Sequence, residues 1–342
     1  MQKIPYKYKI RIMTLLENKP ADIPTPRHIT TKPRRSDQIF RGVVTLGGMA
    51  SLVILGLIAL FLSIKGIHIL NEEKFSFITE SRWEVITDEN GNLAESNLGI
   101  GAMLVGTFLA AFIAILVGVP IAVLSALYLT FYARGFAKKF LISLIDLMAA
   151  FPSLLYGFWG FFVFMESAEY WAKLLNKYFG FIPFFKVPAP IFERSPFIAG
   201  LVLAIMIIPI VTSISREIFD QTPLDRVQAA YALGASKLAM IKAVVIPYGR
   251  GGVVGGAMLG LGRAMGETVA VYTVLNIVYQ VNWQTLFGAG GNVASLILLK
   301  FGEAGPYEVD ALMAAGLILF ILTLIVNALA DLLINRFGSK GR

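Results

Sequence analysis

Six apolar blocks fill most of the chain between residues 42 and 334, and each is long enough to cross a bilayer. The hydrocarbon core needs roughly 20 apolar residues per helix. Backbone groups inside it must pair within their own segment, which leaves helices or closed barrels as the only spanning structures. The blocks run 42–64, 100–132, 140–165, 196–215, 251–281 and 311–334, the fourth being the shortest. They predict an all-α integral membrane protein with six transmembrane helices. The charged fraction agrees: 15% of the 342 residues are Asp, Glu, Lys or Arg, against about a quarter in a soluble domain.

Several chemistries are excluded at once. The chain has no cysteine, so disulfides, thiolate metal sites and cysteine nucleophiles are absent. His28 and His68 are its only histidines and lie outside the apolar blocks, which removes an intramembrane zinc site built on histidine. No G-x-x-x-x-G-K-[ST] loop occurs, so the chain holds no site of that type for ATP. An intramembrane enzyme would need convergent nucleophiles or metal ligands in the spans, and the spans offer one arginine, one glutamate, two peripheral aspartates and scattered hydroxyls.

The net charge of +8 is uneven: ten of the 30 Lys/Arg fall in residues 1–41. Beside a membrane helix such a tail reads as an anchor on anionic lipid rather than a nucleic-acid arm. The first block follows this polar stretch and is too long for a signal-peptide core, so it reads as a retained helix. With the N-terminus inside, inside segments hold 21 Lys/Arg and outside segments eight. The positive-inside rule then places both termini in the cytoplasm. The expected organisation is a basic tail (1–41), a six-helix permease domain (42–338) and a short tail (339–342). The outside loop 65–99 carries seven acids, read as a solvated face.

The inside loop 216–250 carries the most specific pattern. Thr222-Pro223-Leu224-Asp225 reads as a helix start, with Thr222 as cap, Pro223 at the first helical position and Asp225 in the first turn. A short helix through Gln228, Ala229 and Ala230 should stop at Gly234, which tolerates a left-handed C-terminal residue. Ser236 should cap a second short helix ending before Pro247. The result is a compact knob that another protein's groove can receive, or an ordinary connector.

Arg263 lies about 18 Å into the fifth block, near the bilayer midplane. An arginine there costs about 2.5–3.5 kcal/mol and needs an anionic partner or a wet cavity. Glu267, four residues on, is expected on the same helical face. The pair either ties the helix to a neighbour or lines an anion path, since guanidinium donors form a fork suited to phosphate oxygens. The path is the favoured reading. Gly252, Gly256 and Gly260, at four-residue steps, suit close helix packing. In the third block Pro152 should kink the helix. Ser153 and Tyr156 then either meet an oxyanion, or Ser153 satisfies the carbonyls that the kink frees. Asp146 and Asp331 are expected to pair with Lys138, Lys139 or Arg336 near span ends.

Gln228-Ala229-Ala230, Gly234-Ala235 and Val244-Val245-Ile246-Pro247 resemble the E-A-A–G–I-x-L-P signature of ABC importer permeases, with Gln228 where that family usually has Glu. Gly260–Val271 and Ala149–Gly157 resemble the fifth- and third-helix elements of the phosphate-specific (Pst) permeases, C-type subunit. The resemblance covers about residues 40–338. It implies the type I ABC importer permease fold, with the 222–247 loop docking on a separate ATPase through Gln228, Ala229, Ala230, Gly234, Ala235 and Pro247. It implies a phosphate path near Arg263, Glu267, Thr268, Ser153 and Tyr156. It also implies a paralogous A-type permease, two copies of a nucleotide-binding subunit using ATP and Mg, and an extracytoplasmic phosphate-binding protein received by loops 65–99, 166–195 and 282–310. Within the last loop, 294–299 is too short to span and is expected to lie at the interface or re-enter. This chain itself is expected to need no cofactor. The rivals are an ATP-independent carrier or anion channel, and an ABC permease for another oxyanion such as molybdate or sulfate.

Overall fold

The computed structural model describes residues 34–87 and 93–338. The expected roles of residues 1–33 and 339–342 lie outside the described residues. So do the side chains of Asp331 and Arg336, and with them the expected Asp331 pairing. By its contacts the chain divides after Leu57. The described residues of the first unit belong to helix α1 (Arg35–Glu73), and from 34 to 57 every one is exposed. An apolar helix exposed all round has a lipid-facing surface.

In the second unit, α1 ends and is followed by α2 (Ser76–Thr79), a β1–β2 hairpin (Trp83–Thr87, Leu93–Leu98), α3 (Gly101–Phe131) and α4 (Gly135–Ala150). Then come α5 (Ser153–Trp159), α6 (Met165–Phe179), α7 (Pro196–Asp220), α8 (Leu224–Ala232) and α9 (Lys237–Met240). The chain continues with α10 (Ile246–Gly266), α11 (Val269–Val274), α12 (Val293–Lys300) and α13 (Pro306–Gly338). Among the described residues five helical segments are long and apolar enough to span, and a sixth candidate is the pair Gly135–Ala150 and Ser153–Phe179, bent by 97°. The six spans thus hold, with three corrections.

The first correction concerns the third span, which is broken rather than gently kinked, and whose second arm runs on to Phe179 through a π-helical stretch, Gly160–Phe164. The second concerns the fifth span. It starts at Lys237, not 251: α9 runs through a π-helical stretch, Ile241–Val245, directly into α10. Pro247 cannot donate to the carbonyl four residues back. The turn before it shifts to the i→i−5 register, Ile246 N–H bonding the Ile241 carbonyl, so the helix passes the proline without ending. This span also closes at Gly266, not 281. The third correction is the antiparallel hairpin, Trp83 opposite Leu98, in a chain expected to be all-α.

The hairpin is not a merely solvated acidic face. Its Trp83 and Leu98 join Ile69, Phe77, Ile100 and Leu312 in one buried cluster. Trp83 Nε1 donates to Glu308 at 2.6 Å, and Tyr307 donates to Glu72 at 2.8 Å. Glu72, one of the loop's acids, thus ties the end of α1 to the start of α13, and Trp83 ties the hairpin to the same helix.

The central core is α3, α5, α7 and the α10–α11 region, through Ala111, Tyr156, Leu203, Met206, Met265 and Val274. Glycine lets these helices approach. A Cβ at Gly200 would stand 2.6 Å from Ile113, and one at Gly252 2.5 Å from Ile218. Gly256 and Gly260 face Ile214 and Val211 at 3.1 and 3.0 Å. The stripe is thus the seam between α7 and α10, and the pairing sequence shows that the two helices run antiparallel.

Candidate substrate path and coupling groove

The fifth span breaks at Glu267, which is buried and extended (φ −70°, ψ 126°). Arg263 and Glu267 therefore do not share a helical face, and among the described residues they form no ion pair. Instead Glu267 Oε1 accepts from Ala270 N at 3.2 Å and caps α11. Its backbone carbonyl accepts from Asn292 Nδ2 at 2.7 Å, and the Thr268 carbonyl accepts from Ser295 Oγ at 3.0 Å. A helix break must find partners for the backbone groups it frees; Asn292 serves the Glu267 carbonyl, and Ser295 adds a second bond to the Thr268 carbonyl, which Tyr272 N also reaches at 2.9 Å.

Asn292 works twice, because its Oδ1 also caps α12 by accepting from Ser295 N at 2.8 Å. Val293 N donates to Thr107 of α3 at 3.1 Å. Gly291 lies so close to α3 that a Cβ on Gly106 would fall 1.9 Å from the Gly291 carbonyl oxygen. The segment expected at the interface or re-entering is thus a short helix pinned to the broken fifth span. Asn292 was not singled out from the sequence. The signal was there, an N-cap residue ahead of the apolar run Val293–Leu299.

Arg263 is exposed on the last turn of α10. Gly260 sits against Val211 and Ile207, so Arg263, one turn on, is level with the middle third of α7. In its own span, Lys237–Gly266, it sits in the last turn. Gly266 next to it faces open space, with nothing within 4 Å of an added Cβ. Thr268 is half-buried in the break, its hydroxyl 3.3 Å from the Gly266 carbonyl.

In the third span Pro152 breaks the helix, and the carbonyl it deprives is that of Met148, four residues back. That carbonyl accepts instead from Phe151 N at 3.2 Å and from Tyr156, not Ser153: the phenol donates to it at 2.6 Å. Tyr156 is buried and Ser153 half-buried. Asp146 is exposed and, among the described residues, forms no ion pair, contrary to the expected pairing with Lys138 or Lys139. The two lysines lie two turns or more back on α4, toward its other end.

The connector between α7 and α9 takes the expected form of helix, glycine and capped helix. Gly234 has φ +81°. Its N–H donates to Tyr231 O at 2.9 Å and Ala235 N–H to Ala230 O at 3.0 Å, the paired bonds of a Schellman end. Ser236 caps α9 by accepting from Ala239 N. The start differs by one step: Pro223 is itself the cap residue, and Thr222 Oγ1 is buried without a partner.

Ala229, Ala230, Ala235 and Pro247 line an open groove of 930 Å³ between α8 and the base of the fifth span, with Arg226 and Arg250 at its edges. Gln228, Leu224 and Leu233 stand exposed on α8 and its end. Lys237 fixes the knob from beneath. Its Nζ bonds the Phe131 carbonyl at the end of α3 and sits 4.3 Å from the Tyr132 ring centroid, a cation at a helix C-terminus where the dipole favours it. This tie was not foreseen, since 106 residues separate its partners.

Comparisons with known proteins agree with this architecture. Residues 118–339 match the family described as "Binding-protein-dependent transport system inner membrane component". The chain is 38% identical over 300 residues to the phosphate transport system permease protein PstC 2 of Mycobacterium tuberculosis, covering 87% of this chain and 91% of that one. It is 37% identical over 272 residues to the phosphate transport system permease protein PstC of Pasteurella multocida, covering 78% and 81%. Among solved structures it resembles a chain of a bacterial alginate ABC transporter in complex with a pentasaccharide-bound periplasmic protein. That match has a TM-score of 0.57 at 14% identity and covers 91% of this chain and 100% of that one. At that identity the likeness concerns the fold alone.

Proposed function

The chain belongs to the family of binding-protein-dependent transport system inner membrane components, and from that premise we propose that it is the multi-pass permease subunit through which an ATP-driven importer moves inorganic phosphate into the cell. Its relatives named for phosphate transport span most of its length, which supports phosphate over molybdate or sulfate.

The observation that carries the reading is Arg263. A guanidinium level with the middle of α7, exposed beside an open glycine and, among the described residues, without a carboxylate partner, is an unneutralised cation in an apolar bundle. Such a charge is costly unless it faces a wet cavity or an anion. It offers a planar fork of donors to phosphate oxygens. Glu267 holds the break that ends the helix one turn beyond Arg263, with Thr268 in that break. Tyr156 holds the bent third span against the same region. Ser153 lies one turn before Tyr156 and is the weaker candidate for contact with the anion.

In the assembled importer a paralogous A-type permease covers the open side of this chain. Two ATPase subunits, using ATP and Mg, engage the knob of Gln228, Ala229, Ala230, Gly234 and Ala235 and the groove at Pro247. A phosphate-binding protein docks at the opposite end of the bundle, and the Lys/Arg distribution puts the knob and both termini in the cytoplasm.

The test is uptake of labelled phosphate by the reconstituted complex. Arg263→Ala abolishes uptake while the complex still assembles. Normal uptake by that variant removes Arg263 from the path. ATP-independent uptake by this chain alone would mark a secondary carrier instead.

A further inference from the structure

At the end of the bundle opposite the knob, a cavity of 430 Å³ is lined by Arg194, Tyr272, Thr273, Asn276 and the aromatic side of α5 and its continuation. Its lining contains no Asp or Glu. Arg194 Nη1 donates to Asn276 Oδ1 at 3.0 Å, and the guanidinium lies 4.9 Å from the centroid of Phe161. Among the described residues Arg194 has no carboxylate within ion-pair distance. One bond to a neutral amide and one aromatic face leave most of its five N–H donors uncommitted. Because the Asn276 oxygen is the acceptor in that bond, its own NH2 group is also free to donate. The Tyr272 hydroxyl belongs to an exposed side chain on the same wall. The cavity thus gathers a full positive charge and several donors, with no formal negative charge in its walls.

Arg194 is also held there against its backbone preference. Its φ is +50°, a left-handed conformation rare for a side chain of this size. Such strain persists only where the surroundings impose it. Arg194 directly precedes Ser195, which caps α7 by accepting from Ile198 N, so the side chain is delivered from a fixed helix start.

Tyr272 on α11 brings the cavity within a short stretch of chain of Arg263. Between residues 263 and 272 the exposed positions are Arg263, Gly266 and Tyr272. Arg263 and Gly266 lie on α10 before the break at Glu267, and Tyr272 lies on α11 after it, in the lining of the Arg194 cavity.

We propose that Arg194, with Asn276 and Tyr272, forms a second anion station, one that receives a tetrahedral oxyanion at the far mouth of the path before it reaches Arg263. The inference rests on the phosphate-path reading and adds to it a selectivity position on a different loop. Two cationic stations in series let an ion leave the first because the second attracts it.

The absence of cysteine from this chain makes the test direct. In a complex whose other subunits are cysteine-free, Arg194→Cys lowers phosphate uptake about tenfold or more, the loss of a charge-assisted contact, while ATPase activity and assembly persist. Modification with a thiosulfonate carrying an ethylammonium group restores uptake, and the size-matched sulfonate reagent does not. Restoration by both reagents, or by neither, would assign Arg194 to loop packing and overturn the proposal, as would unchanged uptake in Arg194→Cys. If the cysteine variant does not assemble, Arg194→Lys decides: it keeps the charge and retains uptake, and a loss as large as that in Arg194→Ala overturns the proposal. Phosphate uptake by the unmodified complex is the control, because its failure removes the cargo reading itself.

Discussion

The Tyr156 hydroxyl donates a 2.6 Å hydrogen bond to the Met148 carbonyl, the acceptor that Pro152 leaves without its helical donor. One side chain therefore repairs the backbone defect introduced by another, and the 97° bend of the third span is stabilised on both sides. Tyr156→Phe removes this bond and leaves the Met148 carbonyl with only the 3.2 Å bond from Phe151 N, a loss of about 0.5–1.5 kcal/mol. Thermal unfolding of the purified complex reads this as a lower midpoint. Ser153→Ala leaves the midpoint close to wild type, because Ser153 does not serve that carbonyl.

Asn292 is the hinge pin of the fifth span. Asn292→Ala loses two buried bonds, one to the Glu267 carbonyl and one from Ser295 N, and costs about 2–4 kcal/mol. Asn292→Asp separates them: a carboxylate still caps α12 but cannot donate to Glu267. Its stability therefore falls between those of wild type and Asn292→Ala in the same unfolding measurement, and phosphate uptake falls with it. Equal stability of the aspartate variant and wild type would show that the Glu267 contact is idle.

Gly106 tests the close approach of α3 to the loop before α12. A methyl group there would stand 1.9 Å from the Gly291 carbonyl oxygen, and backbone on both sides leaves no flexible atom to yield. Gly106→Ala gives no assembled complex in detergent. The control is Gly266→Ala, where an added Cβ meets nothing within 4 Å, and which assembles normally.

Gly234 tests the knob. Its φ of +81° is closed to proline, which holds φ near −65° and has no N–H for the Tyr231 carbonyl. Gly234→Pro prevents docking of the ATPase, or leaves ATP hydrolysis running without uptake. The ratio of phosphate moved to ATP hydrolysed measures it, and an unchanged ratio counts against the knob as the coupling element. Gly234→Ala strains the same residue by roughly 1–2 kcal/mol while keeping the N–H, and gives an intermediate ratio.

Much of this molecule could be read along the line of the sequence. Hydropathy is a property of a segment and its solvent, so six apolar blocks gave six spans without knowledge of their neighbours. The demands of single dihedrals are equally local. Gly234 ended α8, Ser236 capped α9 and Pro152 broke the third span for reasons contained within a few residues of each. The extent of the fifth span did not survive: whether Pro247 ends a helix depends on the cost of a π turn that the surrounding core repays.

Tertiary structure alone decided who partners whom. The Glu267 carbonyl at the break is met by Asn292, 25 residues away, Ser295 adds a bond to the Thr268 carbonyl across 27, and Lys237 finds the end of α3 across 106 residues. The Arg263–Glu267 pair expected from helical spacing is replaced because the helix ends between them, and the Glu267 carboxylate accepts from Ala270 N instead. Arg194 gave no signal in its own neighbourhood, since its significance lies in the donors around it and in the missing acids. A sequence states what each residue needs from its surroundings, and only the packed chain determines which group at which distance supplies it.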